Sequence, residues 1–285
     1  MPTQTETFTA SDGSEIAFHR LGGGGADGTG GGVRPPAIVV PGGPLRGVEY
    51  LEDLAGVGGD RPLVVLHPRG TPSTGGTSRG FWRDADDLVE LADRLGIAEL
   101  DVVAHSAGTR LALAMLARHS ERVRTLALVT PAAAWFVDVE RDSLELGRAR
   151  RVHQRIAALA SLTGPEPVDQ AGFDRARELE GPAGYARWGE RERTHAGVGA
   201  WSLASIDAWF ADIPDDAVAR ILAAPRHPTL VIAGDQDILV GVRTVEAYAA
   251  ALGADLAMLE SCGHYPWVEQ PVAFRAALGG WLAQA

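Results

Sequence analysis

The residues that could do chemistry cluster in five places. The first is Ala104-His105-Ser106-Ala107-Gly108, which reads small, X, Ser, X, small. An apolar, β-branched run over 100–104 precedes it, as in a strand buried on both faces, and good helix formers over 111–116 follow it. A strand that turns this sharply into a helix needs Ala or Gly beside the Ser, and lifts the Ser hydroxyl to the helix N-terminus. Taken alone, Ser106 could simply cap that helix. Two more apolar runs, 229–233 and 255–259, end in Gly234-Asp-Gln-Asp237 and Ser261-Cys-Gly-His264. In a parallel sheet all such ends share one edge, so Ser106, His264 and an acid, Asp235 or Asp237, can meet there. A Ser hydroxyl needs an imidazole to take its proton, and the imidazole needs a carboxylate to fix its tautomer. A fourth strand, 37–40, runs into Pro41-Gly42-Gly43-Pro44, and a fifth, 63–66, into His67-Pro-Arg-Gly70. Gly43 N–H and Ala107 N–H are placed to stabilise an oxyanion, whereas Pro44 has no N–H to give.

The elements that must position these residues follow a simple order. An edge hairpin (5–9 and 15–20) turns through Ser11-Asp12-Gly13, and a glycine-rich loop follows at 22–32. Strands at 37–40 and 63–66 precede a helix at 81–95, whose acidic residues Asp84, Asp86, Asp87, Glu90 and Asp93 read as a solvated face. After the turn at Ser106 comes a strand at 123–129. This order predicts an α/β fold with a largely parallel, twisted sheet flanked by helices and joined by right-handed crossovers. Residues 132–212 break the rhythm. They are rich in Arg and Glu, show no strand-like run and hold Trp135, Trp188, Trp201 and Trp209. They read as a helical lid over the sheet's carboxyl edge, with 1–131 and 213–285 forming the core. The tryptophans either glue its helices together or line a pocket for an apolar group. After the strand at 229–233, a helix over 242–252, the strand at 255–259 and a last helix over 271–282 complete the core.

Composition removes several classes of function. The 285 residues carry a net charge of −11, which argues against nucleic acid or an anionic membrane surface as partner. No run of about 18 apolar residues is present, and the polar N-terminus does not resemble a secretory signal. A single cysteine, Cys262, leaves no internal disulfide and fits a reducing, cytoplasmic setting. The sequence has neither Lys nor Asn, which removes Schiff-base lysines, Ser-Lys dyads and Cys-His-Asn sites. There is no His-Glu-x-x-His and no cysteine pair, so no metal or other cofactor is expected. Cys262 reads as a small buried residue, and neither His67 nor His105 is assigned a chemical step.

The chain order Ser, Asp, His, with these flanking motifs, resembles the α/β-hydrolase superfamily and, within it, the proline iminopeptidase branch. Gly42-Gly43-Pro44, Arg69-Gly70, Ser106-x-Gly108, Gly234-x-x-Asp237 and Gly263-His264 carry the resemblance, which spans nearly the whole chain. The Gly-x-x-Asp spacing points to Asp237 as the acid, with Asp235 holding the turn. The resemblance implies an aminopeptidase-like or amidase activity through Ser106, His264 and Asp237, on a small molecule or short peptide; the triad alone would serve an ester or lactone equally well. A peptidase of that branch would also bind the substrate's amine through carboxylates, for which Glu190 and Glu192 beside Trp188 are candidates. The chain departs from the pattern at Pro41, Leu45, His67-Pro68 and Pro72, around the expected oxyanion site. Those departures and the tryptophans favour a small, partly apolar substrate over a polypeptide. A C–C hydrolase, lyase or cyclase on the same fold is the alternative, and a binding protein with an idle triad is a third.

Overall fold

The computed structural model describes residues 4–22, 34–149 and 153–284; the glycine-rich loop expected at 22–32 lies outside them except for Gly22. Eight strands form one sheet: β1 (Thr5–Thr9), β2 (Glu15–Leu21), β3 (Ala37–Val40), β4 (Leu63–His67), β5 (Leu100–His105), β6 (Val123–Val129), β7 (Thr229–Gly234) and β8 (Asp255–Leu259). Their spatial order is β1-β2-β4-β3-β5-β6-β7-β8. β1 and β2 form an antiparallel hairpin, β2 runs antiparallel to β4, and every pair from β4 to β8 is parallel. Helices cover both faces, so β3, β4, β5 and β7 are buried along their whole length. Continuous apolar runs form such strands because neither face meets water. Along β5, Val102 and Ala104 join the core on one face while Val103 joins the core on the other.

Among the helices, α1 (Phe81–Asp84), α2 (Asp86–Arg94) and α3 (Gly108–Arg118) precede β6. Between β6 and β7 the chain leaves the sheet through α4 (Ser143–Ala149), α5 (His153–Leu162), α6 (Gln170–Glu180), α7 (Glu190–Ala196), α8 (Leu203–Trp209) and α9 (Ala217–Ala223). α10 (Val242–Leu252), α11 (Pro266–Glu269) and α12 (Pro271–Gln284) complete the core. Among the described residues no helix is long and apolar enough to cross a membrane.

The segment expected as one helix over 81–95 is two, separated by a turn at Ala85, and its acidic face is not all solvated. Asp84 and Asp87 are fully buried. Arg69 grips Asp87 with two hydrogen bonds of 2.8 Å each and reaches Asp12 at 2.8 Å. Arg79 and Ser78 meet Asp84 at 3.2 and 2.6 Å. The polar residues at these positions therefore form a buried ion network that pins the loop after β4 to α1, α2 and the first hairpin. Arg69 holds the Asp12 carboxyl well below its ordinary pKa, whereas burial raises that of Asp87 against the pull of the same guanidinium.

Candidate active site

Ser106 follows β5 directly, with φ +50°, a left-handed conformation that costs energy in a residue with a side chain. The elbow is held by close contacts that only glycine permits. A Cβ on Gly108 would lie 2.3 Å from the Pro41 carbonyl oxygen. One on Gly42 would lie 2.6 Å from His105 Nδ1 and 2.9 Å from Ser106 Cβ. The loop after β3 thus packs hard against the turn that carries Ser106, which lines a cleft at the carboxyl edge of the sheet.

His264 lines the same cleft from the loop after β8. Its Nδ1 donates to Asp237 Oδ2 at 2.7 Å, leaving Nε2 without a protein partner among the described residues. Asp237 is buried and accepts at Oδ1 from the amides of Leu239 (2.9 Å) and Val240 (3.3 Å), so its carboxylate is fixed at both oxygens. Asp235 acts on the backbone instead. Its Oδ1 accepts from Cys262 N at 3.1 Å and ties together the loops after β7 and β8. The His264 loop is anchored twice more. The His264 amide donates to Gly184 O at 2.8 Å, and buried Glu269 takes the Gly263 amide at 2.7 Å. Burial raises the Glu269 pKa, against the pull of the amides it accepts from. Ser106 Oγ has no hydrogen bond to a described residue; such contacts often tighten only when a substrate is bound.

A buried polar chain links the two sides of this arrangement. The Gly42 amide donates to Tyr50 Oη at 2.5 Å, and Tyr50 Oη pairs with His105 Nδ1 at 2.9 Å. His105 Nε2 pairs with the His264 carbonyl oxygen at 3.2 Å, an oxygen that also accepts from Thr130 Oγ1 at 3.1 Å. One proton arrangement satisfies every atom: Tyr50 donates to Nδ1, and Nε2–H donates to the carbonyl. His105 is therefore neutral, and burial holds its pKa well below the usual histidine value. With both nitrogens engaged it is not a general base. Tyr50 occupies the Gly42 amide, while Gly43 and Ala107, both on the cleft wall, have amides bonded to no other described residue.

A model of the alpha/beta hydrolase fold family matches residues 38–271, most of the chain. The chain belongs to that family. Among curated relatives, this α/β-hydrolase is 28% identical over 228 residues to a 2-hydroxymuconate semialdehyde hydrolase of Pseudomonas sp. (strain CF600), covering 75% of this chain and 72% of the relative. It is 24% identical to a proline iminopeptidase of Heyndrickxia coagulans, covering 98% of each. Among solved structures, a thermophilic esterase from Thermogutta terrifontis superposes with TM-score 0.65 at 22% identity over 99% of this chain and 98% of that one, a likeness of fold alone.

The α/β-hydrolase cleft encloses about 370 Å³ between the sheet edge and the helices inserted after β6. Of the tryptophans expected there, Trp201 lines it. Trp135 lies one step back, 4.7 Å under the Arg110 guanidinium. Trp209 packs in the sheet core against Phe81, and Trp188 packs tilted against Tyr185, ring centroids 5.5 Å apart. Glu190 is exposed in the first turn of α7, and Glu192 caps that helix by accepting from the Gly189 amide at 2.8 Å. Glu190, Glu192, Trp188 and Trp209 are thus outside the cleft, for ordinary reasons of capping and packing. His67 meets His19 at 2.6 Å on the far strands, and Cys262 is buried with its thiol pKa pushed up. The residues not foreseen are Tyr50, Tyr265 and the arginines at 46, 110, 141 and 177, all on the cleft wall. Arg46 is buried and spends its N–H groups on the carbonyls of His195, Ala196 and Val198 and on Tyr265 Oη, so it straps the loop after β3 to the inserted helices. Nothing in the spacing of these arginines marks them out, since Arg is the only strong cation in the chain.

Proposed function

We propose that this hydrolase works by acyl transfer through Ser106, His264 and Asp237 on a small, partly apolar ester, amide or lactone. The observation that carries the reading is the 2.7 Å bond from His264 Nδ1 to a carboxylate already held by two amides, beside a serine at φ +50° on the same cleft wall. Nδ1–H directed at Asp237 leaves Nε2 as the base. Ser106 Oγ attacks the acyl carbon and its proton passes to Nε2. The oxyanion forms toward the Gly43 and Ala107 amides, each donor worth on the order of 10²–10³ in rate. Collapse expels the alcohol or amine, which takes the proton from Nε2. Water then attacks the acyl-enzyme by the same route and restores Ser106. The helices after β6 serve as the lid, closing the cleft with aromatic side chains that suit an apolar portion of the substrate.

The 28% likeness to a 2-hydroxymuconate semialdehyde hydrolase supports a second reading, in which the same three residues cleave a C–C bond beside a carbonyl. Turnover of p-nitrophenyl acetate and butyrate, labelling by a fluorophosphonate, and the Ser106→Ala variant test the acyl-transfer proposal together. The proposal expects a label on Ser106 and loss of turnover in the variant. Absence of labelling with turnover retained in Ser106→Ala overturns it; turnover of vinylogous diketones without esterase activity selects the second reading.

A further inference from the structure

The cleft carries a charge opposite to that of the molecule. The chain bears a net charge of −11, yet the described residues lining the cleft include four arginines (46, 110, 141 and 177) and one carboxylate, Glu180. Two of the four are committed elsewhere: Arg46 to carbonyl oxygens, and Arg177 to Glu180, which Ser161 also contacts at 2.9 Å. The other two have no acceptor among the described residues.

Arg110 is the more informative of these. It lies one helical turn beyond Ser106, on the first turn of α3. Its guanidinium rests on the rings of Trp135 at 4.7 Å and Phe210 at 5.1 Å. Its side chain has no hydrogen-bond or ion-pair partner among the described residues, and its Nε is buried without an acceptor. Burial brings its pKa down to about 10, so it remains charged at neutral pH. A half-buried guanidinium flanked by aromatic faces, with its Nε shut off from water and no carboxylate beside it, is costly for the free protein. Its five donors lie in a plane that matches two oxygens sharing a negative charge. The rings stabilise the cation on its faces and leave its edge for an acceptor. Arg141, on the same wall and also without an ion-pair partner among the described residues, adds charge of the same sign.

We infer that the substrate of this α/β-hydrolase is an anion, and that Arg110, assisted by Arg141, binds its carboxylate or phosphate a few bonds from the carbonyl that Ser106 attacks. The inference rests on the acyl-transfer reading and names the substrate class for that same cleft. It also sets the protein apart from an enzyme for free amines: Glu180, the one carboxylate among the described residues of the wall, is already paired with Arg177.

The test uses matched ester pairs at low ionic strength, where charge recognition is least screened. Mono-p-nitrophenyl adipate is compared with its methyl-capped diester, and 4-acetoxybenzoate with its methyl ester, which places the anion on the acyl side or the alcohol side. The expected kcat/KM is at least tenfold higher for the charged member of one pair. Arg110→Gln collapses that ratio toward one, and Arg110→Lys keeps part of it. Benzoate and phenyl phosphate, as competitive inhibitors, show which oxyanion is preferred. A wild-type preference for the neutral esters, or a ratio unchanged in Arg110→Gln, overturns the inference. Calorimetric binding of adipate to the wild type and to Arg110→Gln provides a readout independent of catalysis. Adipate binding lost in Arg110→Gln supports the anion site even if Ser106→Ala still turns over esters, whereas equal binding to both proteins overturns it. Should Arg110→Gln not fold, adipate binding to the wild type must weaken steeply with added salt; salt-independent or absent binding overturns the inference.

Discussion

Replacing Tyr50 by Phe removes one oxygen from a site with no access to bulk water and leaves the ring volume unchanged. That oxygen accepts from the Gly42 amide at 2.5 Å and meets His105 Nδ1 at 2.9 Å, so its loss leaves a buried donor and a buried acceptor unpaired. Each unpaired group costs about 1–3 kcal/mol, giving a destabilisation of roughly 2–5 kcal/mol for Tyr50→Phe. For a chain of this size that corresponds to a fall in Tm of roughly 5–15 °C. The other contacts of the residue survive, because Trp267 Nε1 and His195 Nε2 bond the Tyr50 carbonyl and not its hydroxyl. The chemistry should suffer as well. Under the proposed mechanism Gly42 precedes the oxyanion donor Gly43 and His105 precedes the nucleophile Ser106, so loosening both would move donor and nucleophile together. A tenfold to hundredfold fall in kcat is expected, below the ~10²–10³ for deleting one oxyanion donor outright. Differential scanning calorimetry and ester turnover, measured on the same preparation, check the two expectations. A Tm within about a degree of the wild type would show that the buried chain contributes nothing; unchanged kcat alone would make it purely structural.

Three further outcomes follow from the same geometry. Asp237→Asn should lower kcat by about 10⁴-fold by supporting the wrong His264 tautomer, whereas Asp235→Asn, which loosens only the Cys262 turn, should lower it less than tenfold; steady-state kinetics with equal effects would refute the assignment. Burial pushes His67 and His195 down to about 4, so the folded protein resists protons that the unfolded chain accepts below its ordinary histidine value of about 6.5. Stability is therefore full above that value and falls as pH drops toward 4, by at most about 3 kcal/mol per pH unit for the pair; urea melts that do not change across this window would contradict it. Arg69→Ala strips the buried Asp87 of its two-pronged partner and should cost about 3–5 kcal/mol in chemical denaturation, where a loss below about 1 kcal/mol would mean a solvated face after all.

Much of the sheet is legible in the sequence because its signal is local. Runs such as Ala37–Val40 and 63–66 are apolar throughout, and a chain can hide such a run on both sides only inside a covered parallel sheet. The positions of Ser106, Asp237 and His264 are legible for a related reason. Each follows a strand of the parallel part of the sheet, β5, β7 or β8, whose carboxyl ends share a single edge. The acidic stretch after Phe81 misleads because periodicity sees spacing and not partners. Asp84 and Asp87 look like a wet face until Arg69 and Arg79 arrive from another loop.

What the sequence alone determined is the class of fold and the identity of three residues brought to one edge, since both follow from short-range patterns and chain order. Tertiary structure decided which of four tryptophans meets the cleft, that Tyr50 and His105 join the two loops behind it, and that arginines line its wall. The physical reason is that polar satisfaction and charge balance are sums over neighbours contributed by distant segments. The same Arg110 would be an ordinary helix residue if a carboxylate stood beside it, and only the packed molecule shows that none does among the described residues.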